Sequence, residues 1–183
     1  MQTGDIILFN SVTPCACMVS LGTCSKWNHV GIILNDYENF KGIHVLECGL
    51  ELIPDVYGNK LPLGVQIQKL ENIREFYPRM YYRHLKINRN DEFMKNIKYL
   101  ISTIENASYD FTISSWKELT ESVILGKNEE IKEIENNTQF VCSAMVAYIF
   151  NKLGLIKFAN WKTITPEFFA KVKIDFLSDL NRI

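Results

Sequence analysis

No part of this chain stays apolar for long. The longest apolar runs, VGIIL at 30–34 and AMVAYIF at 144–150, fall far short of the roughly 18 residues that suggest a membrane-spanning helix. The opening MQTGDIILFN has no basic segment followed by an apolar stretch, so no secretory leader is expected there. An excess of one charge is also missing. Twenty Lys and Arg against 21 Asp and Glu leave a formal net charge of -1, interspersed along the chain, with no basic stripe to neutralise phosphates and no acidic tail. Nucleic acid is therefore not an expected partner. No internal repeat, low-complexity tract or Gly/Ser linker divides the 183 residues, so one domain spanning 1–183 is expected.

Five cysteines are present, an odd number. With no leader, the expected setting is reducing and cytoplasmic, and at least one thiol stays free. The first half of the chain reads as strands. DIILF (5–9), HVGIIL (29–34), IHVLECG (43–49), VQIQKL (65–70) and MYYRHLKI (80–87) are short, rich in β-branched or aromatic residues, and separated by Gly, Pro, Asn or Asp. The second half reads as helix. Phe93, Ile97, Leu100, Ile101 and Ile104 share one face of an amphipathic helix, with Asn90 or Asp91 as its cap. The run from Gln139 to Leu153 is apolar nearly all round and ends at Gly154, which predicts a buried helix. Thr165 and Pro166 open a third helix. The charged stretch at about 116–137 reads as a helical insertion or lid. Strands segregated from helices make an α+β fold.

The chemistry centres on Cys142, at the start of the buried helical run. A cysteine in a helix's first turn sits among unpaired backbone N–H groups at the positive end of the dipole, which favours thiolate and could hold an oxyanion. The competing reading is an inert core cysteine. A nucleophile needs a base, and only His29, His44 and His84 supply an imidazole. His29 opens a strand, where a side chain can meet a cleft. His44 and His84 lie inside strands and read as exposed or satisfied sheet residues. The base in turn needs an orienting group, and Glu47 is the candidate. In a 29–47 hairpin with Leu34 paired to Gly42, His29 falls directly opposite Glu47, with Cβ atoms about 4.5 to 5.5 Å apart. Glu47 shares its strand face with Ile43 and Val45, so a buried carboxylate there demands a partner. A third reading is a structural zinc on Cys15, Cys17, Cys24 and His29. Their spacing does not match paired C-x2-C knuckles, so no metal is expected.

His first, an acid about a strand later and Cys far downstream at a helix start is the reverse of papain's order. The pieces TGDIILF, WNHVGIIL, VLECG, SYDF, FVCSAMVAYIFNKLGL and TPEFF span nearly the whole chain. Together they resemble the circularly permuted NlpC-type papain-fold thiol enzymes, a group that includes YiiX-type and lecithin:retinol acyltransferase-like proteins and a poxvirus virion protein. That resemblance implies a papain-like antiparallel sheet packed against the helix that bears Cys142. It implies a catalytic triad in which Cys142 attacks an acyl carbon, His29 moves the proton and Glu47 orients His29, with Tyr109 as an accessory polar group. It implies a hydrolase or acyltransferase without a cofactor, acting on a small-molecule or lipid acyl ester or on a peptide or amino-acyl amide. Peripheral membrane contact stays open, as does a catalytically idle binding or virion-associated structural module of the same fold. The expected location is the cytoplasm, or a virion or host cytoplasm for a viral source.

Overall fold

Alternating apolar residues along short strands build one sheet that buries both of its faces. The computed structural model describes residues 1–10, 25–49, 54–58, 63–77, 79–105, 107–110, 117, 139–158 and 160–183. The expected 116–137 insertion, apart from Lys117, and the cysteines at 15, 17 and 24 lie outside them. The strands are β1 (Ile6–Phe9), β2 (His29–Asn35), β3 (Ile43–Gly49), β4 (Gly64–Lys69), β5 (Met80–Arg83), β6 (Ser108–Tyr109), β7 (Gln139–Phe140) and β8 (Asn181–Arg182). They form a sheet in the order β7-β6-β4-β3-β2-β1-β5-β8. Among the described residues it is accompanied by the α-helices α1 (Leu70–Ile73), α2 (Asp91–Ile104), α3 (Cys142–Lys152) and α4 (Pro166–Lys171). The fold is α+β, as the segregated pattern predicts.

The sheet's two sides have different covers. Ile6, Leu8, Val30, Ile32, Leu34, Leu46, Cys48, Val65 and Ile67 join the main core with the apolar residues of α2 and α3. Their neighbours of opposite parity, Ile7, Phe9, Ile33 and Val45, join a smaller core with Leu70, Ile73, Tyr77 and Met80. Each such side chain contributes about 1.5–3 kcal/mol relative to an exposed one, so a shift by one residue would cost the sheet on both faces. Helix α2 is tied at its start by the Asn90 side chain, which accepts from Phe93 N at 2.9 Å, and buries the five residues that share its apolar face. Helix α3 is buried from Cys142 to Ala147 and again at Ile149 and Phe150. Gly154, at φ +70°, closes it.

Three expectations need correction. The sheet is mixed, because β6 and β7 run parallel, a pairing that requires a long crossover and cannot come from a hairpin. The strand expected over 80–87 stops at Arg83. Beyond it only an isolated bridge, Leu85 with Leu177, continues the pairing, and side chains take the amides: Ser178 Oγ accepts from His84 N at 2.7 Å and Asp5 Oδ1 from Leu85 N at 2.9 Å. The helix expected from Gln139 begins at Cys142, and Gln139–Phe140 is strand instead.

Asp5 holds this end of the sheet. It is fully buried; besides Leu85 N it accepts from Gln2 N at 2.8 Å and Arg89 Nη2 at 2.6 Å, and His84 Nδ1 lies 3.0 Å from its Oδ1. Asp5→Ala removes the counter-charge of Arg89, whose guanidinium is left with the Thr3 and Ile87 carbonyls, and leaves the buried Leu85 amide without its acceptor; it should cost about 3 kcal/mol of stability. Urea denaturation should show the midpoint falling at unchanged slope.

Candidate active site

β2 and β3 pair antiparallel with Leu34 opposite His44, not Gly42. The register is shifted by two residues from the expected one. A two-residue shift preserves parity, so His29 and Glu47 remain on one face and meet diagonally. Gly31 lies between them in sequence terms, and a Cβ there would sit 2.7 Å from Val45 and 2.8 Å from the Leu46 carbonyl oxygen. Glycine lets the strands close at this point. The outcome is a contact of 2.7 Å between His29 Nε2 and Glu47 Oε2, with Glu47 fully buried and His29 7% exposed.

The imidazole is fixed from several directions. Its ring stacks on Tyr77 at 5.5 Å and 8° and leans on Phe9, its β1 partner, at 5.1 Å. Because His29 opens β2, the ring stands at a strand end, where the first residue of α3 reaches it. The Cys142 side chain is near enough to the ring to act on its charge. Burial alone would push the imidazole pKa down. The charge and hydrogen bond of Cys142, followed by the hydrogen bond and charge of Glu47, outweigh it and hold the pKa well above 6.5. Cys142 itself is 4% exposed, at the start of a helix whose N-cap residue, Val141, supplies no side-chain hydrogen bond.

The structure thus brings together Cys142, His29 and Glu47. Tyr109 pairs in β6 with Phe140, two residues before the thiol, and its ring belongs to the main core. His84 is satisfied by Asp5. His44 is not exposed: it is 1% exposed, with Nδ1 against Gly42 O at 3.1 Å, and burial lowers its pKa. Sequence reasoning missed Gln66 and Gln68. Gln66 pairs directly with Glu47 and donates to its Oε1 at 3.3 Å, and Gln68 donates to Gln66 Oε1 at 3.0 Å. The signal was available in the alternation of VQIQ, once β4 is laid beside β3.

Comparison with known proteins finds a likeness of fold. No family model matches the chain, and no curated protein does. Among solved structures it is similar to the metalloprotein YiiX of Escherichia coli O157:H7, at 18% identity and a TM-score of 0.56. The match covers 83% of this chain and 66% of that one, so this chain spans slightly under two thirds of YiiX. Among the described residues there is no group of three or more His, Cys, Asp or Glu that could hold a metal ion. His29 turns its Nε2 to Glu47.

Since Cys142 supplies the leading contribution that raises the His29 pKa, Cys142→Ala should lower the midpoint of the His29 imidazole titration followed by NMR, and Glu47→Gln should lower it less.

Proposed function

We propose that this protein is a cysteine hydrolase or acyltransferase of the circularly permuted NlpC-type papain-like kind, acting on an amide or ester through a thioester acyl-enzyme. One observation carries the reading: a buried carboxylate, Glu47, lies 2.7 Å from a ring nitrogen of a buried imidazole, His29, whose pKa is raised by Cys142 at a helix start. The fold shared with YiiX and the chain order His, Glu, Cys support it.

His29 takes the Cys142 proton, and sulfur attacks the acyl carbon. The resulting oxyanion faces the first backbone N–H groups of α3, which no N-cap side chain occupies. Collapse expels the amine or alcohol, which leaves with the proton from His29, and forms the thioester. Water, or an acceptor alcohol or amine, then gives up a proton to His29 and attacks the thioester carbon, and Cys142 leaves as thiolate. Glu47 keeps the ring oriented and balances the imidazolium through both transfers. A lipid acyl ester and a peptide or amino-acyl amide both satisfy this chemistry. The site is expected to work without a cofactor.

Iodoacetamide labelling at neutral pH, read residue by residue by peptide mass spectrometry, tests the assignment. Cys142 should label first, and Cys142→Ala should abolish the fast phase. His29→Ala should slow cleavage of an activated ester about 100-fold or more, Glu47→Ala by less, and His84→Ala not at all. Fast labelling that persists at Cys15, Cys17 or Cys24 in Cys142→Ala would place the reactive thiol elsewhere, and an inert Cys142 would favour a binding module of the same fold.

A further inference from the structure

We propose that Gln66 is a positioning residue of this site: its amide, held by Gln68, fixes the Glu47 carboxylate against His29. The inference rests on the reading of Cys142, His29 and Glu47 as the reacting group, and concerns residues that reading does not use.

The two glutamines occupy an unusual place. Gln66 is 3% exposed and Gln68 fully buried, in a strand whose other residues are mostly apolar. They alternate with Val65 and Ile67, which join the main core, so both amides lie on the opposite side of β4. That side also carries Val45, a member of the smaller apolar core. Burying amides where apolar side chains would pack costs desolvation, so their hydrogen bonds must compensate. Those bonds run in one direction. Gln68 Nε2 donates to Gln66 Oε1 at 3.0 Å, and Gln66 Nε2 donates to Glu47 Oε1 at 3.3 Å. A flipped Gln66 amide would set its oxygen against a carboxylate oxygen. Gln68 prevents the flip by holding that oxygen itself. Glu47 thereby has one oxygen for Gln66 and the other, Oε2, for His29 at 2.7 Å. A carboxylate held at a single oxygen can rotate about its last torsion, and one held at both cannot.

The test is Gln66→Met, which keeps length and volume and removes the donor. In the folded variant, without any substrate, the NMR titration midpoint of His29 should fall by about half a pH unit as Glu47 loosens. Gln68→Met should move it in the same direction by less. A merely structural glutamine would lower the melting temperature and leave the His29 midpoint where the unmodified protein has it, and that result would overturn the proposal. Should Gln66→Met fail to fold, Gln68→Met decides: a lowered midpoint supports the positioning role and an unchanged one sinks it. Because the readout is a titration, it remains informative even if Cys142 proves to turn nothing over.

Discussion

A carboxylate with no exposed surface sets the terms for this molecule. Glu47 lies at the centre of β3, fully buried, and taking its charge out of water is costly unless partners receive it. β2 brings His29 from one side and β4 brings Gln66 from the other. The three strands must therefore hold their register together, and the apolar residues that alternate with these polar ones, Ile32, Leu46 and Ile67, hold it by packing under α2 and α3. The polar line and the core are two faces of the same pleat.

The thiol comes to this line from a different part of the chain. Helix α3 is buried over most of its length, so packing, not the site, fixes where its first residue falls. β7 leads into it, and Cys48, beside Glu47 in β3, donates its thiol to the Phe140 carbonyl at 3.0 Å. That bond ties the approach to α3 directly to the strand that carries the acid. A site built this way needs few dedicated contacts, because rigid elements already determine the positions of sulfur, ring and carboxylate.

Periodicity made much of this legible. The five early strands, the apolar stripe of α2, the buried helix behind Cys142 and the meeting of His29 with Glu47 all follow from alternation and helical spacing. The hairpin register did not: Leu34 pairs with His44, two residues from the expected partner, because the turn keeps Asp36 to Gly42 as a longer loop in which Asp36 and Glu38 adopt positive φ. Parity survived, so the site did too. The two-residue strands β6, β7 and β8 carry too little pattern to be seen in sequence, and β6–β7 pairs across a long stretch of chain. His44 was misjudged because strand alternation marks a face and does not reveal what covers it. Gln66 and Gln68 were visible as alternating polar residues, but their meaning depended on knowing that β4 lies next to β3.

The account stands or falls on whether Cys142 forms a covalent acyl intermediate. The direct measurement is the intact mass of the protein after brief exposure to p-nitrophenyl acetate, followed by peptide mapping. One acetyl group per chain, found on Cys142 and missing from Cys142→Ala, is the predicted result. A folded protein that acquires no acetyl on Cys142, or acquires it equally on other side chains, would contradict the claim that this thiol, imidazole and carboxylate act as one catalytic unit.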